Sequence, residues 1–258
     1  MDLFKQFLSS FVAISISLPL MAQITSGKEK ETTREVPPTV KRVSSEGLDE
    51  FCFYAGAGRV WANRTLESNV APFGAPLGIR ADETGLKTWS FQFGLRNRVH
   101  RFVTYDAGFA LERFGESYSY DDPDTDSTYS YTSRYTYYAM PIQVLFTYGK
   151  DARFFVGGGL QPQLLGGYRQ KAEWTTTLNG TGDSELKRTD GLNGFGLAAL
   201  VSFGFQLRFG KMTSIYAIPS FAWNLTDTYD DQADFIHKSQ SFNLKFGALI
   251  HLPQSTEK

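Results

Sequence analysis

An all-β chain, an eight-stranded antiparallel up-and-down transmembrane β-barrel, is the fold class that this sequence predicts. Three observations predict it. Long stretches alternate strictly between apolar and polar residues. The connections between them are short and long in turn. The tryptophans all fall toward the end with the long connections.

The alternation begins at Glu50. In one stretch Trp89, Phe91, Phe93 and Leu95 share a face, and Ser90, Gln92, Gly94 and Arg96 share the other. Near the end of the chain Phe242, Leu244, Phe246, Ala248 and Ile250 alternate with Asn243, Lys245, Gly247 and His251. Eight such runs are present, at 50–62, 86–98, 101–117, 130–148, 153–171, 192–209, 213–226 and 240–252. A membrane strand needs about 9–11 residues at a tilt. Ordinary globular strands use about 5–6, so runs of this length favour a membrane barrel. The 22 Phe, 13 Tyr and 24 Gly agree with a β-rich wall that bends and turns.

The links near Val99–His100, across 149–152 and across 210–212 are short. Those at 63–85, 118–129, 172–191 and 227–239 are long and polar. Outer-membrane barrels have short periplasmic turns and longer extracellular loops, so both chain ends are expected in the periplasm. Trp61, Trp89, Trp174 and Trp223 then lie toward the extracellular rim, as an interface girdle.

The first residues set the route to that membrane. Residues 7–20 are an apolar run behind Lys5, and Met21-Ala22 precedes a cleavage point at Gln23. The run is short for a spanning helix of about 20 residues, so 1–22 are read as a signal peptide. Residues 23–49 are polar and charged, with too few apolar side chains to form a core, and are read as a flexible periplasmic linker. Residues 50–252 are the barrel and 253–258 a short tail. No later stretch of 18 apolar residues is present. With 26 basic and 27 acidic residues the formal charge is −1, so nothing in the balance calls for nucleic acid.

A soluble barrel would bury the Phe/Leu face around a ligand, whereas a membrane barrel turns it to lipid. The polar face carries charges of both signs: Arg96, Asp106, Glu112, Gln206, Arg208 and Lys245. They are expected to form a polar network in the lumen, with outer-membrane lipid against the other face. Eight strands leave an interior filled by side chains rather than a wide pore.

The second half of the chain carries a family pattern. Tyr138-Ala139-Met140-Pro141-Ile142 resembles the Tyr–x–x–Pro–Ile/Leu strand of the PorT-like outer-membrane β-barrel family. Val156-Gly157-Gly158-Gly159, leading to Leu164-Leu165, is similar to the family's next strand. Phe195-Gly196-Leu197 is similar to the Phe-Gly-Leu that opens the one after, with Asn193 and Gly194 before it. Residues 215–221 match the penultimate strand loosely, so the resemblance covers about 138–250. It implies an integral outer-membrane barrel. The founding member is associated with the type IX secretion system, so secretion-machinery or envelope proteins are the implied partners.

The residues that could carry chemistry are few. His100 and His251 fall at turn ends, and His237 follows Asp230, Asp231 and Asp234 in what reads as a solvated acidic loop, with no nucleophile signature beside it. Asp122, Asp124 and Asp126 alternate as Ca²⁺ ligands do, but Ser127 and Ser133 stand where the calcium loop wants Gly and Glu. Tyr118, Tyr120, Tyr129 and Tyr131 read as cross-strand pairs of a hairpin above the membrane, or else as a recognition surface. Cys52 has no cysteine to pair with and reads as a small apolar residue. The chain is therefore expected to be non-enzymatic, with no cofactor, no metal and no small-molecule substrate. Its expected role is as a secretion or envelope-assembly accessory. The alternative is a free-standing structural or adhesive barrel acting through its tyrosine-rich loops; a lipid-modifying enzyme is a third reading.

Overall fold

The computed structural model describes residues 50–68, 78–176, 180–210, 212–230, 233 and 235–252. The expected signal peptide, linker and tail, with Asp231 and Asp234, lie outside these residues.

Among the described residues eleven strands form one antiparallel sheet: β1 (Glu50–Ser68), β2 (Thr84–Gly85), β3 (Lys87–His100), β4 (Val103–Asp121), β5 (Thr128–Ala139), β6 (Ile142–Gly149), β7 (Ala152–Thr176), β8 (Gly180–Arg188), β9 (Phe195–Phe209), β10 (Thr213–Asn224) and β11 (Phe235–His251). The sheet closes on itself. Strand β1 pairs with both β3 and β11, and the wall continues through β10, β9 and β7 to β5 and β6, both of which pair with β4. Strand β4 pairs in turn with β3. Strands β5 and β6 occupy one position in the wall, so the ring has eight places. Closure leaves no row of unpaired backbone groups, which is what a sheet needs in order to sit in hydrocarbon.

The fourth run is thus two strands and not one. Met140 and Pro141 separate them. Pro141 has no N–H for the ladder, and the chain bridges the gap with Met140 N–H donating to Pro162 O and Gly108 N–H donating to Pro141 O.

The wall has the polarity of a membrane barrel. Along β3 the exposed positions are Trp89, Phe91 and Phe93, and the buried ones are Ser90, Gln92 and Arg96. Phe146, Phe154, Phe203 and Phe246 are likewise exposed, while Asp106, Glu112, Gln163 and Lys245 are buried. Each outward Phe gains about 1.5–3 kcal/mol on leaving water for an apolar phase, so this wall is stable facing lipid tails. Among the described residues no helix is long and apolar enough to cross a membrane; strands cross instead.

One end of the barrel has short turns. Gly149 and Gly210, at φ +112 and +73, take the left-handed conformation that ends two of them. Both termini of the described barrel meet there, where Leu252 N–H donates to Phe51 O. The opposite end is extended. Strands β4 and β5 continue as a hairpin to Asp121 and Thr128, and β7 continues to Thr176 before β8 folds back on it. Residues 118–121, 128–129, 172–176 and 180–188, expected as loop, are therefore strand. Strand β8 is exposed at almost every position, so it has no apolar face to show in a sequence.

Candidate functional site

The lumen is filled from the short-turn end upward. Cys52 and His251 face each other across the β1–β11 seam, with Sγ and Nδ1 3.1 Å apart. The other imidazole nitrogen lies 2.6 Å from Ser214 Oγ. Cys52 is buried, as a small apolar residue would be, but the fold also places it beside a cavity that Arg96, Arg98 and Arg153 line. No local reading could supply those neighbours, because they come from two other strands, β3 and β7.

Above this, Arg96 donates to Asp106 at 2.6 Å. Its guanidinium lies against the rings of Tyr54, Phe155 and Tyr216, 5.8, 5.1 and 5.8 Å from their centroids. The pair is thus a charge-assisted hydrogen bond whose cation lies against three aromatic rings. Glycines make the room: Gly94 and Gly108 are paired across β3 and β4, and a Cβ at either would stand 2.7 or 2.4 Å from the Tyr54 hydroxyl. At mid-height Lys245 Nζ donates to Glu112 at 2.9 Å, and Gln163 donates to Asn224 at 2.9 Å. Gln206 donates to Ser214 at 3.1 Å. Arg208 keeps the inward parity of its strand but lies at the rim, where its Nε–H donates to Gly210 O. It is not part of the buried interior expected for it.

The long-loop mouth is closed by a second cluster. A short 3-10 turn (Gly78–Asp82) lays Arg80 against the rings of Tyr229 and Phe235, 5.2 and 4.3 Å from their centroids. Beside it the Glu83 side chain is fully buried, paired with Arg64 and accepting from Tyr131 at 2.5 Å. Burial and that carboxylate hold the Tyr131 phenol above its ordinary value. Below, the hydroxyls of Tyr135 and Tyr229 meet at 2.6 Å. His237 bridges Thr228 Oγ1 and Glu116 Oε1, each at 2.9 Å.

That placement corrects the reading of His237. It does not lie on a solvated loop but inside strand β11, wholly buried and facing inward. The signal was present: counting back from Lys245 in steps of two passes Asn243, Ser241 and Ser239 and arrives at His237. The Thr–His–Glu chain has the order of a nucleophile, a base and its orienting acid. It lies against the rings of Tyr135 and Tyr229, however, and its three residues are buried.

The remaining expected residues fall as follows. Trp89 and Trp223 face outward on the wall, and Trp61 joins an outward ladder of rings through Phe242 and Phe221 to Trp223. Trp174 does not belong to this girdle. It lies on the β7–β8 hairpin against Gly182, ten residues past Leu164, the last apolar wall residue of its strand; that is about 33 Å along a strand. Asp122 accepts from Asp124 N–H at 3.0 Å and from the Thr125 hydroxyl at 2.8 Å. These bonds, the Asp124 N–H first, hold its carboxyl below the usual range. They close the hairpin tip, and among the described residues no three His, Cys, Asp or Glu gather as a metal site. The tyrosines pair across the hairpin, Tyr118 with Tyr131 and Tyr120 with Tyr129.

No known protein family matches the chain, and no curated protein matches it in sequence. Solved structures of small outer-membrane barrels resemble it in fold. Neisserial surface protein A (NspA) is 13% identical, with a TM-score of 0.42 over 78% of this chain and 97% of that one. The outer membrane protease OmpT from Escherichia coli is 10% identical, with 0.41 over 80% and 98%. The outer membrane protein OprG from Pseudomonas aeruginosa is 7% identical, with 0.41 over 80% and 97%.

Proposed function

We infer that this chain is a non-conducting, non-enzymatic barrel of the bacterial outer membrane that serves protein secretion, of the type IX kind, or envelope assembly as an accessory. The observation that carries the reading is the solid interior. Ion pairs, amides and aromatic rings occupy the lumen from Cys52 and His251 at one end to Arg80 and Glu83 at the other. A barrel filled in this way acts through its rims and outer wall. In this reading the short-turn end and both chain ends face the periplasm. The resemblance of residues 138–250 to the PorT-like family supports the secretion side. The burial of the Thr228–His237–Glu116 chain supports the absence of catalysis.

Cross-linking of a tagged copy in native membranes, followed by mass spectrometry, tests it. Capture of secretion-machinery or envelope-assembly subunits is expected. A folded, heat-modifiable barrel that captures nothing sinks the accessory reading. Steady conductance in a planar bilayer would overturn the non-conducting part. A second reading, a free-standing surface module, is favoured by Tyr120 and Tyr129, 49% and 36% exposed near the hairpin tip. Removing residues 122–127 abolishes surface binding under that reading and leaves export intact under the first.

A further inference from the structure

The outer wall carries a row of cations just above its apolar belt. Strand pairing aligns Arg134 of β5 with Arg169 of β7, and Arg169 with Lys187 of β8. The three lie directly opposite one another on the face that points away from the lumen. Arg113 stands on β4 one row lower and Lys171 on β7 one row higher. Like charges directly opposite on a sheet destabilise it. The sole carboxylate paired within this group, among the described residues, is that of Glu185, which accepts from Arg169 at 2.5 Å and contacts Lys187 at 2.7 Å. Arg113 and Arg134 make no ion pair among the described residues, and Lys171 lies opposite Glu185 in the register without an ion pair to it.

Arg113, Arg134, Arg169 and Lys187 line a cleft of about 640 Å³ with no acidic residue in its lining, and Tyr168 and Arg188, which share the other face of the β7–β8 hairpin, reach its edge. Its floor is Thr136 and the bulge at Gly166 and Gly167, where a Cβ on Gly167 would meet nothing within 4 Å. The height of the cleft is informative. The last apolar row below it is Leu111, Tyr138, Leu164 and Phe195, aligned across four strands. Arg134 is four residues above Tyr138, about 13 Å along the strand and about 10 Å along the membrane normal at barrel tilt; Arg113 is half as far. Polar headgroups occupy about the first 5–8 Å beyond each side of the hydrocarbon, within reach of arginine side chains from either height.

We propose that this cleft holds the phosphorylated headgroup of a membrane lipid from the leaflet at the long-loop end, its acyl chains lying on the row of Tyr138 and Phe195. A planar guanidinium grips two phosphate oxygens at once, and the row offers two of them beside a lysine. A phosphate here also neutralises repulsion that Glu185 alone offsets only in part. A site for a soluble anion would gain nothing from facing lipid, whereas a lipid headgroup is delivered to it at high local concentration.

The test is native mass spectrometry of the full chain released from nanodiscs of phosphatidylcholine doped with diphosphorylated lipid A. Retention of one lipid A molecule, in preference to phosphatidylcholine, through detergent exchange is expected, falling at least tenfold in R134Q/R169Q/K187Q. Lipid A stripped of its phosphates should be lost as readily from the parent as from that variant. Heat-modifiability on gels checks that the variant folds; if it does not, R113Q/R134Q is read instead, which leaves the Glu185 pairs intact. Equal retention by the parent and a folded variant overturns the proposal. So does an acyl-free diphosphorylated disaccharide that binds as tightly as the lipid, since the cleft would then be a soluble-anion site.

Discussion

Replacing Lys245 by methionine isolates what the lumen network contributes. The Lys245 ammonium lies 2.9 Å from Glu112 Oε1, and the two residues are 5% and 1% exposed. Glu112 Oε2 has no hydrogen-bond partner among the described residues, so Lys245 is the carboxylate's one polar contact there. At an effective dielectric near 20 the attraction at that distance is about 6 kcal/mol, which offsets several kcal/mol of desolvation for each ion. Removing the lysine alone leaves the desolvation of Glu112 with nothing against it, a loss of about 3–5 kcal/mol. Methionine keeps the apolar stem that packs over Gly58, whose Cβ would stand 2.7 Å from Lys245 Cγ, so the loss reports the charge and not a cavity. The double variant E112L/K245M removes both charges and is expected to return to within about 2 kcal/mol of the parent. Urea titration of the protein folded in phospholipid vesicles, followed by tryptophan fluorescence and by gel mobility without boiling, measures both. A single variant within about 1 kcal/mol of the parent would refute the reasoning. A double variant no better than the single would do the same, because the cost would then be one of shape.

Three further outcomes follow from the same structure. G108A places a methyl 2.4 Å from both the Tyr54 hydroxyl and Phe93 O, and a loss of about 1–3 kcal/mol is expected in the same titration; adding Y54F should relieve only part of it, and complete rescue would count against the backbone clash. H237A strips Glu116 and Thr228 of their shared partner and should cost about 1–3 kcal/mol, with no change in the Arg169–Glu185 contact; an unchanged midpoint would mean that water replaces the imidazole. Arg169 and then Lys187 hold the Glu185 carboxyl down at about 2 against an ordinary 4.5. A depressed carboxyl stabilises the fold above its ordinary value and loses that contribution as pH falls, so the hairpin pairs should persist through pH 4.5 and dissolve near 2. A carbon-detected NMR titration that places the midpoint at 4.5 would show the pairs absent in solution.

What could be read from the sequence was the part of the wall where one face meets lipid and the other does not. On β3 the contrast between Phe91 and Gln92 is complete, and the run at 86–98 lies within a residue of the strand Lys87–His100 at its start and two at its end. The contrast fades where the strands leave the membrane. At Thr181–Arg188 both faces meet water, so β8 has no periodicity by which to declare itself. The same loss hid the start of β11 and with it the burial of His237. Trp174 misled for the opposite reason: an aromatic residue near a strand end reads as a girdle, and only the pairing of Trp174 with Gly182 shows a hairpin continuing past the belt.

The cation row was beyond reach for a reason that the bulge explains. Below Gly166 the odd-numbered residues of β7 face inward, as Arg153, Gln161 and Gln163 do. Above Gly167 the parity reverses: Tyr168 is buried and Arg169 faces out. A period-two reading carried straight through would send Arg169 into the lumen and Tyr168 to the lipid side. The extra residue turns the upper half of the strand over. It thereby sets Arg169 between Arg134 and Lys187 and puts the Tyr168 ring under the Arg188 guanidinium, 5.7 Å from its centroid. The two glycines that open the floor of the cleft are thus also what points its cations outward, so the space for an anion and the charge to hold it arise from one local departure from the β ladder.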